Sequence, residues 1–337
     1  MNSALPISVL DFVSITEGQT AAEAIADTVA VAQAAELAGF HRFWIPEHHN
    51  STGLGFTSLE VLIAHLAAAT STIRVGAAGV MLPNHSPLKV AEVFKTLEAL
   101  HPGRIDLGLG RAPGTDSVTA FALRGGKPEG QGDFPQLAAM LMAFLGDGAD
   151  FPDDHPYRQV IAAPVIDTDP EVFVLGSSGY GTTFASVNGM GAVFAHHMSP
   201  DLAVDALRAY RADFRPGYLD HPWSAISVIA HATDDPDEAL AATAAWTLLI
   251  DRLRVDERGP RPDYDAIAQY STSAAYRQTQ GTTPDRVFAG PADEVAERVR
   301  ALAAQAQVDE VVVVSPLPGR QRRIDSLAAL AKAWQAG

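Results

Sequence analysis

The 337-residue sequence contains no cysteine. Disulfide bridges, a thiol nucleophile, cysteine-ligated zinc and cysteine-bound iron–sulfur clusters are therefore excluded. Positive charge is also scarce, with 24 Lys and Arg residues against 40 Asp and Glu residues and a net charge of −16. Nucleic-acid binding needs a basic face that can contact phosphates, so the composition argues against a nucleic-acid partner.

Long hydrophobic runs are absent as well. No segment approaches the roughly 18 consecutive apolar residues of a membrane-spanning helix, and residues 1–4 (MNSA) carry no basic charge ahead of an apolar stretch. Hydrophobic residues nevertheless make up 47% of the chain and charged residues 19%, which is typical of a globular protein. We therefore expect a cytoplasmic protein with no membrane partner.

Short apolar segments alternate with longer amphipathic segments along the chain, and this alternation predicts a parallel sheet with helical connections. The predicted strands are residues 5–10, 42–45, 73–82, 104–109, 172–175, 192–195, 225–232 and 310–314. The predicted helices are residues 20–37, 58–69, 87–100, 134–145, 181–188, 201–214, 236–253 and 324–334.

Eight strand–helix units in one chain favour a closed barrel over an open sheet. The predicted fold class is α/β, a single (β/α)8 TIM-like barrel domain over residues 1–337. Long insertions follow strand 4 (residues 110–134) and strand 7 (residues 255–289), and both exceed normal loop lengths. The second insertion carries three tyrosines among polar residues, which is consistent either with a lid over an active site or with a surface used in oligomer contacts.

Histidine, glycine and arginine follow the predicted strands at the ends where barrel enzymes place their active sites. Glu47-His48-His49 follows strand two, Arg111 follows strand four and His196-His197 follows strand six. Adjacent histidines on a strand point to opposite faces, and the sequence has neither an H-x-H nor an H-E-x-x-H pattern. We therefore expect no metal site.

Two glycine-rich segments have both a functional and a structural interpretation. Residues 176–181 (GSSGYG) follow a strand and begin a helix, which suits an anion held by backbone N–H groups but also describes an ordinary tight turn. Arg111 could supply a charged fork to the same anion. Residues 76–79 (GAAG) would let a flat ring lie against strand three, or they reflect a crowded barrel interior.

Four ordered segments together resemble one family: residues 44–49 (WIPEHH), 75–92 (VGAAGVMLPNHSPLKVAE), 101–111 (HPGRIDLGLGR) and 174–181 (VLGSSGYG). Over residues 5–335 the chain resembles the bacterial luciferase-like flavin-dependent monooxygenases, in particular the non-luminescent subgroup. The resemblance implies a TIM-like barrel, a homodimer, reduced FMN as cofactor and O2 as cosubstrate. One oxygen atom would enter a small organic substrate by hydroxylation, epoxidation or Baeyer–Villiger insertion, through a flavin C4a-peroxide.

The resemblance also implies site residues. His48 matches the family's catalytic histidine, and Glu47 would orient the groups around it. Ala78 and Gly79 match a non-proline cis peptide that supports the isoalloxazine ring, and His197 lies where luciferase has an aromatic residue beside the flavin. The residues implied to hold the FMN phosphate are Arg111, Ser177, Gly179 and Tyr180.

This chain also departs from luciferase. Gly110 stands where luciferase has a reactive cysteine near the flavin C4a atom, which puts light emission in doubt. No second nucleotide site is visible, so we expect a separate flavin reductase to supply reduced FMN by diffusion or transient contact. Two alternatives stay open: an F420-dependent hydride-transfer oxidoreductase of the same superfamily, and a non-catalytic flavin-binding protein. The Glu-His-His run favours FMN, because F420-dependent relatives usually lack it.

Overall fold

A computed structural model describes residues 5–128, 134–146, 151–255, 257–279 and 286–337. Parts of both predicted insertions, residues 129–133, 256 and 280–285, lie outside the described residues. No helix of the described part of the chain is long and apolar enough to cross a membrane.

The described residues form nine strands and twelve α-helices. The strands are Ile7–Leu10 (β1), Arg42–Ile45 (β2), Arg74–Met81 (β3), Ile105–Gly110 (β4), Glu171–Gly176 (β5), Gly191–Ala195 (β6), Ser224–Ala232 (β7), Val287–Gly290 (β8) and Glu310–Val314 (β9). The helices are Ala21–Ala38 (α1), Leu59–Ala69 (α2), Pro87–Leu100 (α3), Ser117–Leu123 (α4), Phe134–Leu145 (α5), Gly179–Val187 (α6), Pro200–Ala212 (α7), Pro236–Arg254 (α8), Tyr264–Ser271 (α9), Ala274–Thr279 (α10), Ala292–Ala306 (α11) and Arg320–Ala336 (α12).

Eight of the strands close a parallel barrel, which confirms the predicted (β/α)8 architecture. Each of β1 to β6 pairs with the next strand, β6 pairs with β7, and β9 pairs with both β7 and β1. The remaining strand, β8, is not part of the barrel and pairs with the C-terminal half of β7. All eight strands predicted from the sequence are present, with ends that differ by up to two residues.

The segment after strand seven is more structured than the sequence suggested. Residues 255–289 contain α9, α10 and most of β8, and α11 follows in a stretch for which no helix was predicted. The signal for α11 is present in the sequence, since Val295, Val299 and Ala303 recur at a spacing of four and all three are buried. After strand four, α4 begins at Asp116, whose side chain accepts hydrogen bonds from the N–H groups of Val118 and Thr119.

Local signals explain how the chain passes from one element to the next. Thr20 and Glu23 form a capping box at the start of α1. The helix ends at Gly39, whose φ of +85° is the left-handed conformation that favours glycine, and whose N–H donates to two carbonyls of the last turn. β2 then begins only three residues later, so β1, α1 and β2 form one compact βαβ unit.

A buried charge network fills the N-terminal end of the barrel. Arg42, on β2, donates to Asp106 Oδ1 at 2.8 Å and to Glu310 Oε2 at 3.1 Å, and its third nitrogen lies 2.9 Å from Glu171. Asp106 and Glu310 are at most 1% exposed. Asp106 also accepts from Trp44 Nε1 at 2.8 Å. These contacts tie β2 to β4, β5 and β9 through the barrel interior.

The network favours the charged forms of Arg42 and Glu310. Burial opposes the charge of Arg42, but the neighbouring carboxylates outweigh it and raise the pKa of the guanidinium. Burial also opposes ionisation of Glu310, yet the pKa of that carboxyl is lowered because His41, Arg42 and Ser8 surround it. The guanidinium carbon lies 5.0 Å from the Phe173 ring centre, so an aromatic wall completes the shell.

We predict that Arg42→Gln lowers the free energy of unfolding by about 3–5 kcal/mol, because the buried carboxylates of Asp106 and Glu310 each lose a cation, although Arg74 still contacts Asp106. Urea denaturation at neutral pH measures this loss. Arg254→Gln is the control, since the Arg254 side chain is 73% exposed and, of the described residues, pairs with Asp251 alone on the helix surface. An Arg42→Gln variant as stable as the control would contradict the structural role of the network.

Candidate active site

A cavity of about 370 Å³ opens at the C-terminal end of the barrel and is called here the central cavity. Seven of the nine side chains predicted from the sequence line it: His48, Ala78, Gly79, Arg111, Ser177, Tyr180 and His197. Gly179 lies at the start of α6 next to this lining, and Glu47 lies behind it. The barrel thus brings together residues from five different strand ends. In this fold, active sites lie at this end of the barrel.

His48 is half-buried and packs against the loop that follows β4. Its Nδ1 lies 3.2 Å from the carbonyl oxygen of Gly114, and because a carbonyl only accepts, Nδ1 carries the proton of this hydrogen bond. Burial lowers the pKa of His48, partly offset by that hydrogen bond. The imidazole is therefore neutral at pH 7, and Nε2 is the atom that can take up a proton.

Glu47 is an anchor for its neighbours, and its side chain is not part of the cavity lining. It is 2% exposed, and its carboxylate accepts from His49 Nε2 at 2.9 Å, from His85 Nε2 at 2.8 Å and from the Met81 N–H at 2.9 Å. Burial opposes ionisation, but these donors outweigh it and lower the pKa of Glu47 to about 2. The same contact raises the pKa of His85 against the effect of burial. Glu47 therefore links the ends of β2 and β3 behind His48.

The peptide bond between Ala78 and Gly79 is cis, at the position where the family resemblance implies one. Gly79 also lacks room for any side chain, since a Cβ atom would lie 2.6 Å from the carbonyl oxygen of Gly108 on β4. The pairing of β3 with β4 shifts register between Ala77 and Val80. The close approach of β3 and β4 thus accounts for the glycine, and the exposed edge of this irregular segment forms one wall of the cavity.

Arg111 has no carboxylate partner among the described residues. Its guanidinium carbon lies 3.9 Å from the centre of the Tyr180 ring, so the side chain stacks on an aromatic face at the mouth of the cavity. The two acids nearest in sequence are engaged elsewhere: Asp106 in the Arg42 network, and Asp116 with Asn50 and with Arg258 at 2.8 Å. The charge of Arg111 is therefore available to a ligand.

The N-terminus of α6 faces the same region. Ser178, the residue that precedes the helix, makes no side-chain hydrogen bond to the first turn. The first N–H groups of any α-helix lack partners within the helix, and here no side chain of the described residues caps them. Gly179, Tyr180 and Gly181 thus present backbone donors beside Arg111, which is the arrangement that binds phosphate.

His197 closes the inner side of the cavity. It is 5% exposed, its Nδ1 lies 2.9 Å from Ser227 Oγ, and burial lowers its pKa to about 4. Phe12, which the sequence reasoning missed, packs against both histidines: its ring is stacked 6.0 Å from His48 and meets His197 edge-on at 6.5 Å. The signal was available, because Phe12 follows the C-terminal end of β1 in the way that His48 follows β2.

These residues fit a flavin mononucleotide. An unpaired arginine and uncapped helix amides suit the phosphate, and the volume of the cavity is within the range of small-molecule sites. Apolar side chains such as Leu10, Val174 and Val312 line the interior, where a flat ring can be buried. No group of three or more metal-ligating side chains occurs within the described residues.

Comparison with known proteins identifies the family. A family model described as luciferase-like monooxygenase matches residues 6–310. The chain therefore belongs to the luciferase-like monooxygenase family and is an enzyme.

Curated relatives match almost the whole chain. The uncharacterized protein YwcH of Bacillus subtilis is 40% identical over 92% of this chain and 93% of its own length. A luciferase-like monooxygenase of Escherichia coli K12 is 36% identical, with 96% and 95% of the two chains covered. The N-acetyl-S-alkylcysteine monooxygenase of Bacillus subtilis is 34% identical over 92% of each chain.

Solved structures show the same fold. The crystal structure of apo-MsnO8 is 31% identical and superposes with a TM-score of 0.88 over 99% of each chain. The FMN-bound oxygenating constituent of 3,6-diketocamphane monooxygenase from Pseudomonas putida is 19% identical, with a TM-score of 0.70 over 98% of each chain. An F420-dependent secondary alcohol dehydrogenase is 14% identical, with a TM-score of 0.68 over 98% of this chain and 99% of the other. At such low identity the last two establish the fold alone.

We predict that Glu47→Gln destabilises the protein by about 1.5–3 kcal/mol at pH 7, because three donors lose their charged acceptor. The pKa of Glu47 is lowered from 4.5 to about 2, so its contribution is complete above pH 4.5 and is lost as the pH falls toward 2. Urea denaturation of wild type and variant across this pH range measures the difference, with the exposed Glu297→Gln as control. A difference that stays constant down to the lowest pH would contradict the assignment.

Proposed function

We propose that the protein is a flavin-dependent monooxygenase that uses reduced FMN and O2 to insert one oxygen atom into a small organic substrate. A separate flavin reductase supplies the reduced FMN, and the protein acts as a homodimer in the cytoplasm. The observation that carries the proposal is that a neutral His48 and Arg111, which has no carboxylate partner within the described part of the chain, meet in one cavity at the C-terminal end of the barrel.

Binding of the cofactor follows from the donors around the cavity mouth. Arg111 and the first N–H groups of α6 would hold the phosphate, and Ser177 and Tyr180 line the same edge. The flavin ring would lie deeper, between the irregular segment at Ala78 and Gly79 and the apolar interior of the barrel. Burying the ring there excludes water from the reacting atoms.

His48 is the residue that we assign to proton transfer. Reduced FMN, when bound, supplies the electrons for oxygen activation. The chain contributes a neutral imidazole whose Nδ1–H is held by Gly114, which leaves Nε2 to take up a proton from the substrate or to accept a hydrogen bond. Glu47 acts indirectly, because the hydrogen bond that it accepts from the Met81 N–H fixes the loop that carries His48.

The fold itself is compatible with FMN and with F420, because structural neighbours of both kinds share it. The choice of FMN rests on the Glu47-His48-His49 run, which F420-dependent relatives usually lack. A non-catalytic flavin-binding protein is the second alternative, and His48 Nε2, which has no hydrogen-bond partner among the described residues, argues against it.

Anaerobic titration with reduced FMN and reduced F420, followed by exposure to labelled oxygen gas and a panel of organic substrates, tests the proposal. We expect preferential binding of reduced FMN and one labelled oxygen atom in a product. Binding of reduced F420 alone would favour the hydride-transfer oxidoreductase. Binding of reduced FMN without any product and without altered oxygen consumption would favour the non-catalytic protein.

We predict that His48→Ala slows substrate oxygenation by roughly 10²- to 10⁴-fold at saturating reduced FMN, while FMN affinity changes little. The control is His221→Ala, because His221 is exposed and does not line the central cavity. Because burial keeps the pKa of His48 below 6.5, the wild-type rate should hold as the pH falls through 6.5 and decline only below it. A His48→Ala variant with wild-type turnover would remove this residue from the mechanism.

We predict that Arg111→Ala weakens FMN binding by roughly ten- to 150-fold, the worth of a charge-assisted hydrogen bond. Riboflavin has no phosphate, so its affinity should change far less. Equilibrium titration of both flavins against wild type, Arg111→Ala and the exposed-surface variant Arg254→Ala provides the comparison. Equal losses for FMN and riboflavin would show that Arg111 does not bind the phosphate.

A further inference from the structure

A second cavity adjoins the central cavity and is called here the side cavity. It has a volume of about 640 Å³ and lies between the loop after β1, the segment before α9 and the loop after β9. Leu10 and Phe12 line both cavities. The side cavity is therefore separated from the proposed flavin site by little more than one aromatic ring.

Arg261 is the unusual residue of the side cavity. Within the described residues its guanidinium has no hydrogen bond and no carboxylate partner, and its central carbon lies 5.8 Å from the centre of the Phe12 ring. Its backbone is fixed, since its N–H donates to Ile15 and its carbonyl accepts from Glu17, both at 2.8 Å. Burial and the nearby charges of Arg323 and Arg252 lower the pKa of Arg261 to about 10, despite Asp11. The fold thus holds a half-buried cation in place without a direct ion pair among the described residues.

Further polar groups in the side cavity lack partners as well. The hydroxyl oxygens of Ser14 and Ser315 and the Nε atom of Arg323 are buried without a hydrogen-bond partner among the described residues. All three residues line the side cavity together with Arg261. Buried polar groups are nearly always hydrogen-bonded, so four potential donors without acceptors in one cavity indicate a ligand rich in acceptors.

The acids of the side cavity do not meet this need. Three of them pair with other side chains: Asp11 with Arg323, Asp27 with Gln19 and Arg320, and Glu17 with Arg252. Two others accept hydrogen bonds at helix starts, Glu23 in the capping box of α1 and Asp263 at the start of α9. The other cations are engaged too, since Arg322 lies 3.7 Å from Glu238 and stacks on the Tyr264 ring. Arg261 is therefore the cation of this cavity that is left for a ligand.

We propose that the side cavity binds the anionic head, a carboxylate or an equivalent oxyanion, of the organic substrate, and that Arg261 selects for this charge. The proposal rests on the proposed monooxygenase function. The Phe12 ring contacts both Arg261 and His48, at 5.8 and 6.0 Å, so an anchored substrate needs to span only one ring to reach the central cavity. The substrates are thus organic acids whose apolar part extends past Phe12 to the flavin.

Titration calorimetry with three matched probes tests the proposal: phenylacetate, the neutral phenylacetamide and the cationic phenethylamine, at constant ionic strength. We expect the wild-type protein to bind phenylacetate roughly ten- to 150-fold more tightly than phenylacetamide, as for a charge-assisted hydrogen bond. In Arg261→Gln this preference should disappear, in Ser315→Ala it should shrink, and in Arg254→Gln it should be unchanged. Equal binding of acid and amide to the wild type, preference for the amine, or no binding of any probe would overturn the proposal.

Two further measurements separate this proposal from the flavin assignment and from a structural role. Arg261→Gln should keep its FMN affinity, and Arg111→Ala should keep its preference for phenylacetate, so the failure of one assignment leaves the other measurable. Without ligand, Arg261→Gln should be at least as stable as the wild type, because it removes a half-buried cation that has no ion pair among the described residues. Arg323→Gln should be less stable, because Asp11 loses its partner. A strong loss of stability in Arg261→Gln would show that Arg261 is structural.

Discussion

The guanidinium of Arg42 holds three carboxylates from three other strands inside a shell of aromatic side chains at the N-terminal end of the barrel. A buried charge is costly unless it is paired and hydrogen-bonded, so these groups can stay buried only together. Their pairing determines how β2 lies against β4, β5 and β9. Ionic contacts therefore fill the N-terminal end of the barrel, and the C-terminal end is left open for a site.

The two ends of the barrel use charge in opposite ways. At the N-terminal end the buried cation has its partners, and Arg42 together with His41 and Ser8 lowers the pKa of Glu310. At the C-terminal end Arg111, Arg261 and the first amides of α6 lack partners within the described residues. Unpaired donors reduce the stability of the free protein, and a ligand that supplies acceptors recovers it. The loss of stability caused by these donors is therefore consistent with two ligand-binding positions, one on each side of Phe12.

His48 and Glu47 show how neighbouring residues acquire different roles. Both follow β2, but successive side chains point to opposite sides of the backbone. Glu47 turns inward, where three N–H donors keep it ionised, and His48 turns to the cavity, where burial keeps it neutral. The sequence run Glu-His-His indicated a reactive site, and the direction of each side chain could be read only from the fold.

Sequence patterns were sufficient for the barrel strands, because each strand is a short apolar run between turn signals and each carries its own local pattern. They were insufficient for β8 and α11. The four residues of β8 are too short to give a pattern of their own, and they form a strand only because the free edge of the C-terminal half of β7 is there to pair with. The buried face of α11 carries only small apolar side chains, two valines and three alanines, which did not predict a helix although their spacing is helical.

By itself the sequence determined the order of strands and helices, the end of the barrel that carries the site, and most of the side chains that meet there. These properties depend on local periodicity and on the rule that parallel strands in a barrel end on the same side. Only the tertiary structure decided which charges are paired. Asp106 and Asp116 are equally plausible partners of Arg111 along the chain, yet folding assigns them to Arg42 and Arg258. Arg261 is likewise an ordinary arginine in the sequence, and it becomes a candidate ligand-binding residue because the distances that decide ion pairing arise between segments far apart along the chain.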